Sequence, residues 1–170
     1  MRFKLSDPGA RYFEDVLVGR YYWGGHKDRQ VTGSVLQPEL TASTRPYIER
    51  MALQINGAYE AGWYDASMVI CRRLMESLII EVYVSRERHS EIQTAEGTFF
   101  TLENLVTHLI EDQSMPLSRG VSKGMNYIKK VGDRAAHDRF YLTTKPDIDE
   151  KRPEIRSVIT ELIHLSGVRK

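Results

Sequence analysis

The stretch DASMVICRRLMESLIIEVYVSRER, residues 65–88, limits the folds open to this chain more than any other segment. Drawn as an α-helix, it is apolar over more than half of its circumference, which is typical of a helix surrounded by other elements. We therefore predict a long core helix here, with Asp65 as its N-cap. Inside this helix Arg73 lies among apolar neighbours, so we expect its side chain to turn toward the interior, where a charge needs a partner.

Four other stretches have apolar residues at the three- and four-residue spacing of amphipathic helices. They run roughly over residues 46–61, 102–113, 118–142 and 153–167. Thr101 is a suitable N-cap for the second of them, and Gly167 is a suitable C-terminal stop for the last. Together with the core helix they predict an all-α fold, a bundle of four to five helices.

The segment 118–142 contains three glycines, Gly120, Gly124 and Gly132. A glycine inside a helix costs about 1 kcal/mol relative to alanine, because its backbone loses more conformational freedom on folding. Three such residues predict either a break in the helix or places where another element comes too close for a side chain.

Residues 1–45 differ from the rest of the chain, because no helical period lasts two turns there. Aromatic residues and glycines (RYFEDVLVGRYYWGGH) run into a stretch rich in Thr, Ser and Gln. We predict an irregular N-terminal arm over residues 1–45, with one or two short strands around residues 16–23, and a helical bundle domain over residues 46–170. A partly ordered tail is the alternative for the arm.

Composition excludes several classes of function. The 24 basic and 23 acidic side chains nearly cancel, so no global field draws the protein to nucleic acid or to a membrane. Cys71 is the only cysteine, which excludes an internal disulfide and suits a reducing cytoplasm. The sequence has neither a secretory leader nor a run of about 18 apolar residues, so we expect a cytoplasmic protein with no membrane partner.

The common motifs for nucleotides, metals and nucleophiles are missing. The sequence lacks GxxxxGK[ST], GxGxxG, HExxH and GxSxG. Its five histidines are scattered, and no two have the i, i+3 or i, i+4 spacing of a helical metal clamp. We therefore expect neither a metal nor a cofactor.

Charge is nevertheless uneven along the chain. Residues 119–139 hold six Lys or Arg side chains against two carboxylates, whereas residues 99–117 hold three carboxylates and no Lys or Arg. A basic helix can hold a phosphate backbone, because binding releases counterions condensed on the nucleic acid. It can equally pack against the acidic helix of its own fold or of a neighbouring chain, and the sequence leaves both open.

The segment KKVGDRAAHDRF, residues 129–140, holds the best candidates for chemistry. If the helix continues through it, Lys130, Arg134, His137 and Tyr141 lie on one stripe. Cleaving RNA without a metal needs a base for the 2′-OH proton and cations for the charge that gathers on the phosphorane. An imidazole, with an ordinary pKa of about 6.5, can supply the first, and Arg and Lys the second. A surface or capping histidine is the alternative interpretation.

Two pieces of the sequence resemble the HEPN superfamily (higher eukaryotes and prokaryotes nucleotide-binding), most closely its bacterial branch of uncharacterised helical domains. The first piece is YDASMVICRRLMESLIIEVY, in which a small residue and an apolar pair are followed by Arg-Arg and then Glu. The second piece is YIKKVGDRAAHD, in which a basic and an apolar residue are followed by Gly-Asp and then Ala-Ala-His. The matching positions are Ala66, Val69, Ile70, Arg72, Arg73, Glu76, Lys130, Val131, Gly132, Asp133, Ala135, Ala136 and His137. The likeness covers roughly residues 46–167.

The resemblance implies a HEPN-like bundle that forms homodimers and, in active members, a metal-independent endoribonuclease site of Arg and His across the dimer. It implies an RNA-binding protein of a toxin or defence type, acting on RNA or together with a protein partner. The catalytic candidates are then His137, Arg134 and Lys130. The candidates for RNA binding or for support of the site are Asp133, Arg139, Tyr141, Arg73 and Glu76.

A non-catalytic alternative stays open. Lys130 stands where the family usually has arginine, and lysine lacks the bidentate fork that grips phosphate. The chain would then be a helical module for dimerisation or protein interaction, such as an antitoxin or a scaffold. In that case the Gly-Asp-Arg-Ala-Ala-His segment would be a packed turn whose Asp133 and His137 bind backbone groups.

Overall fold

The structure of the protein, a computed structural model, describes residues 35–169. Within this range the chain forms seven α-helices and one 3-10 turn. The helices are α1 (Pro38–Thr41), α2 (Pro46–Glu60), α3 (Tyr64–Val84), α4 (Leu102–Glu111), α5 (Val121–His137), α6 (Lys145–Asp149) and α7 (Arg152–Ser166), and the 3-10 turn spans His89–Ile92. Apart from one isolated bridge between Gln93 and Phe99, these residues form no β-structure. The predicted all-α helical bundle is confirmed, whereas the predicted strands lie outside the described residues.

Helix α3 is the centre of the bundle, as its apolar circumference predicts. It contacts α2, α4, α5 and α7, and Met68, Cys71, Leu74, Met75 and Leu78 are completely buried along it. Between residues 35 and 169, no helix combines the length and the apolar character needed to cross a membrane.

Two expectations about α3 are wrong. The N-cap is Trp63, and the Asp65 carboxylate instead accepts a hydrogen bond from the backbone N–H of Thr143 at 2.8 Å. Arg73 is exposed to solvent, and it is the neighbouring Arg72 that turns toward another helix. Adjacent residues on a helix point about 100° apart, so the apolar pattern around position 73 could not fix which arginine meets a partner.

The chain preceding α2 packs into the bundle. Val35 and Leu36 are completely buried, and the Asn56 side chain accepts both of their backbone N–H groups, at 3.0 and 2.9 Å. The Asn56 amide also donates to the Leu36 carbonyl at 2.7 Å, and Arg156 of α7 donates to the Val35 carbonyl at 2.7 Å. Part of the segment that the sequence pattern assigns to the arm is therefore held by α2 and α7.

The three glycines around α5 have separate structural reasons. Gly120 is the N-cap and has a φ of 90°, a left-handed conformation that favours glycine. A Cβ atom at Gly124 would lie 2.6 Å from Val158 Cγ2, and one at Gly132 would lie 2.6 Å from Arg72 Cβ. The close-packing alternative is therefore confirmed for Gly124 and Gly132, which lie against α7 and α3, whereas Gly120 marks the start of a helix that has no internal break.

Candidate nucleic-acid interface

Helix α5 is fixed on α3 by an ion pair beside a place where the two helices pack closely. Arg72 crosses α5 at Gly132, and its Nε donates to Asp133 Oδ1 at 2.5 Å. Arg72 Nη1 also reaches Glu76 Oε2 at 3.4 Å, one turn farther along α3. The guanidinium therefore links carboxylates on both helices, which fixes the rotation of α5 about its own axis.

Asp133 is neutralised within the fold. Besides Arg72 it contacts Lys129 Nζ at 3.2 Å, and Lys129 in turn contacts Glu103 of α4 at 3.4 Å. Partial burial opposes ionisation of Asp133, but the hydrogen bonds from Arg72 and Lys129 outweigh it, so the pKa of this carboxyl is lowered. Asp133 is therefore charged at neutral pH but already compensated, and it supports the position of α5.

The C-terminal end of α5 forms a shallow, open depression. It is lined by Asp133, Arg134, His137 and Asp138. The imidazole of His137 is exposed, and the side chain of Arg134 is 47% exposed. Two side chains that can meet a phosphate thus open onto the same surface.

Arg134 is held in place from two sides. Its guanidinium carbon lies 3.8 Å from the centre of the Tyr141 ring, and its Nε lies 3.6 Å from Asp138 Oδ2. Stacking on an aromatic face contributes about 0.5–1 kcal/mol at an exposed site and leaves the guanidinium N–H groups free to bond in their own plane. Arg134 is therefore oriented while part of its surface stays open to solvent.

Tyr141 reaches Arg134 by a different route from the one predicted. Helix α5 ends at His137, because Asp138 Oδ1 accepts the backbone N–H groups of Phe140 at 3.0 Å and of Tyr141 at 3.2 Å, which favours a turn over another helical residue. These two bonds also lower the pKa of Asp138, the one from Phe140 most. The expectation of a continuous helix to residue 142 is wrong, but the turn returns Tyr141 to the predicted face.

The remaining predicted residues do not line this depression. Lys130 is exposed one turn before Arg134 and does not line the depression, and Arg139 is exposed with its guanidinium 5.6 Å from the centre of the Phe140 ring. Glu76 contacts Arg72, whereas Arg73 has its side chain in solvent. The structure thus brings together Asp133, Arg134, His137 and Tyr141 at the site, and it places Lys130 and Arg139 at its margins.

Sequence reasoning missed the supporting roles of Arg72 and Asp138. The four-residue step from Arg134 to Asp138 is a signal for an ion pair on one helix face. For Arg72 the available signal was Gly132. A glycine inside a helix indicates that another element packs closely there, but it does not indicate which residue that element contributes. Asp133 binds side chains of two helices instead of the backbone groups that the non-catalytic alternative assigned to it.

The basic helix is only partly neutralised by the acidic one. Of its cations, Lys129 pairs with Glu103 of α4. Lys123 and Lys130 are exposed and form no ion pair among residues 35–169. Internal packing against α4 therefore accounts for one cation and leaves a positive face on α5.

A second shallow depression also contains a histidine but has a more negative lining. It is lined by Arg88, Glu91, His108, Glu111 and Asp112. Arg88 is bonded there to both oxygens of Glu91 at 2.7 Å and to Asp112 at 2.9 Å. Three carboxylates face the one fixed cation of this depression, which makes it unsuitable for a phosphate. At the end of α5 the two carboxylates are instead matched by three cations, Arg72, Lys129 and Arg134. Among the described residues, no group of three or more His, Cys, Asp or Glu side chains is placed to hold a metal ion.

Comparisons with known proteins place this chain in no family. No family model, no curated protein and no solved structure matches it. The class that the structure defines is an all-α helical bundle, and function has to be argued from the residues at the end of α5.

Proposed function

We propose that this chain is a HEPN-like RNA-binding domain whose phosphate site is the C-terminal end of α5. The observation that supports it most is the shared exposure of Arg134 and His137 in one open depression. Of the two carboxylates at the depression, Asp133 is bound by Arg72 and Lys129, and Asp138 lies 3.6 Å from Arg134, so both are partly compensated by cations. The reducing cytoplasm expected from the single cysteine is where such a protein would meet RNA.

Binding follows from the charges along one face of α5. Arg134 can donate two N–H groups to one phosphate, and Lys130 lies about 6 Å farther back along the helix axis, where a neighbouring phosphate can follow. Each phosphate that a cation neutralises releases counterions, so affinity falls as salt rises. His137 adds an exposed imidazole beside Arg134 in the same depression.

The proposal extends to metal-independent cleavage by a homodimer, as expected of a toxin or defence nuclease. His137 would take the proton of a 2′-OH, whose oxygen then attacks the adjacent phosphorus. The leaving 5′-oxygen needs a proton of its own, and each chain offers one imidazole at this site. A second copy would supply that acid, giving a 2′,3′-cyclic phosphate and a 5′-OH, while Arg134 and Lys130 stabilise the charge on phosphorus.

The test separates binding from cleavage. Fluorescence anisotropy with a labelled RNA measures affinity for the wild type, Arg134→Ala, His137→Ala and Lys130→Ala. Lys151→Ala is the matched control, because it removes a half-exposed positive charge from an ion pair with Glu154, and Lys151 does not line the depression. We expect the first three to weaken binding and the control to leave it unchanged. Cleavage in EDTA that is equal in wild type and His137→Ala would remove the nuclease claim and leave the binding claim.

A non-catalytic interaction module is the second candidate. It is favoured by the contacts of Arg134, whose guanidinium is already stacked on Tyr141 and close to Asp138. In this case the segment after α5 is a structural turn of a dimerisation module, an antitoxin or a scaffold. It predicts that Arg134→Ala lowers the melting temperature while no labelled RNA binds the wild type at moderate salt.

A further inference from the structure

Phe140 is the most exposed large apolar side chain among the described residues. It is 89% exposed and follows the C-terminal end of α5 by three residues. A single exposed apolar residue is common on protein surfaces. What distinguishes Phe140 is how its backbone is held and which groups surround it.

The turn that carries Phe140 is anchored on both sides. Asp138 Oδ1 accepts the N–H of Phe140 itself, and Thr143, three residues later, donates its N–H to Asp65 at the start of α3. Between these anchors Tyr141 turns inward under Arg134. The ring of Phe140 therefore extends from a fixed stretch of backbone, so a ligand that contacts it would have little chain entropy to remove.

The ring of Phe140 lies close to a cation and follows the basic end of α5. Arg139 has its guanidinium 5.6 Å from the centre of the ring, and the exposed Arg134 and His137 precede it on α5. An aromatic ring beside an exposed guanidinium fits poorly under an apolar protein surface, because burial would remove water from the charge. It suits a nucleotide, whose base stacks on the ring while its phosphate meets the cations.

We propose that Phe140 is a base-stacking residue, which stacks an unpaired base next to the phosphate held by Arg134 and His137. This inference rests on the proposed RNA binding and narrows its ligand to strands with unpaired nucleotides. A base inside a duplex has both faces covered by its neighbours, whereas bases in single strands, loops and bulges can be splayed onto an aromatic side chain.

The test compares two strands that differ only in their bases. One is a labelled oligoadenylate with 2′-O-methyl riboses, which prevent cleavage by the 2′-OH, and the other has the same backbone with its central bases removed. Affinities are measured for wild type, Phe140→Ala, Phe140→Trp and Leu142→Ala. Leu142 is the matched control, because it is 74% exposed two residues away and has no ring.

We expect Phe140→Ala to weaken binding of the adenine strand by about 5- to 100-fold, the range for losing one stacked base. Binding of the abasic strand should stay unchanged, Phe140→Trp should restore affinity for the adenine strand, and Leu142→Ala should resemble the wild type. A hairpin of the same length, closed by a tight turn so that nearly all of its bases are paired, should bind no better than the abasic strand.

Other outcomes overturn the inference in distinguishable ways. If Phe140→Ala binds both strands as the wild type does, while Arg134→Ala weakens both, the phosphate site stands and the stacking residue does not. If the wild type binds neither strand, the proposed function fails and the inference fails with it. If Phe140→Ala and Leu142→Ala both convert a dimer to a monomer in sedimentation and leave the adenine strand unaffected, this surface is an interface between copies of the chain.

Discussion

Arg72 of α3 packs directly against Gly132 of α5, where a Cβ atom at the glycine would lie only 2.6 Å from the Cβ of the arginine. The obstructing atom belongs to the rigid base of the Arg72 side chain, so it cannot move aside without shifting a helix. This contact sets the distance at which the Arg72 guanidinium meets Asp133. The orientation of the end of α5 thus depends on a position without a side chain.

Gly132→Ala should destabilise the protein by about 1–3 kcal/mol, because overpacking outweighs the roughly 1 kcal/mol that alanine gains in helix propensity. Gly57→Ala is the matched control, since Gly57 lies inside α2 and its Cβ would meet nothing within 4 Å. That change should stabilise the protein by about 0.5–1 kcal/mol. Urea unfolding of both variants measures the difference, and equal shifts in the two would contradict the packing described for α5.

Arg72→Ala and Arg73→Ala should differ although the residues are adjacent. Arg72 donates to Asp133 and Glu76, so its removal should lower the free energy of unfolding by about 1–3 kcal/mol. Arg73 is exposed, and its removal should change that free energy by no more than about 0.5 kcal/mol. Thermal melts of the two variants check this, and a larger effect at position 73 would favour the inward orientation expected from the sequence.

The ion pairs of Asp133 predict a pH dependence of stability. The folded protein lowers the pKa of this carboxyl from its ordinary value of 3.8, so the unfolded chain binds its proton more readily than the folded one. The stabilisation is therefore fully present above pH 3.8 and is lost as the pH falls through the lower folded pKa. Urea melts of wild type and Asp133→Asn at neutral pH and near pH 3 test this.

The difference in unfolding free energy between those two proteins should shrink as the solution is acidified. Glu91, Asp112, Asp138, Asp149 and Glu154 also have lowered pKa values, so the stability of both proteins falls in acid. The comparison with Asp133→Asn isolates the contribution of one carboxyl. A difference that grew on acidification would show that Asp133 is not stabilised in its charged form.

Asn56 should be essential for docking of the segment before α2. Asn56→Ala leaves the N–H groups of Val35 and Leu36 and the Leu36 carbonyl without their partner in a buried setting, at a cost of about 2–4 kcal/mol. Asn56→Asp keeps the acceptor and loses the donor, so it tests the Leu36 carbonyl separately. Gln54→Ala, at an exposed position of the same helix, is the control and should be nearly neutral. Urea unfolding and the rate of proteolysis near residue 35 are the measurements.

RNA binding should have a salt dependence that reports its phosphate contacts. For a single strand the logarithm of the association constant falls with the logarithm of salt by about 0.7 per phosphate neutralised, so contacts with the two fixed cations Lys130 and Arg134 predict a slope of about −1.4. Arg134→Ala should reduce the magnitude of the slope by about 0.7. A variant that weakens binding at every salt concentration without changing the slope would indicate that Arg134 acts through folding.

Local patterns in the sequence predict the positions of the long helices. Apolar side chains repeat every three or four residues wherever a long helix faces the core, so the five long helices were predicted close to their observed positions. The caps at Thr101 and Gly167 were also predicted, because a cap involves only a few neighbouring residues. The Thr101 hydroxyl accepts a hydrogen bond from the backbone N–H of Asn104, and Gly167 has a φ of 62°. The short helices α1 and α6 were missed, since four or five residues are too few to show a period.

The tertiary structure decided what the charged residues do. Arg72 and Asp133 are 61 residues apart in the chain, and no local pattern distinguishes Arg72 from Arg73 as the partner. Helix α5 ends where the Asp138 carboxylate accepts the backbone N–H of Phe140 in the following turn. That turn then places the Tyr141 ring against the Arg134 guanidinium. Apolar periodicity specifies a helix because burial acts along one element, whereas an ion pair depends on where two distant elements meet.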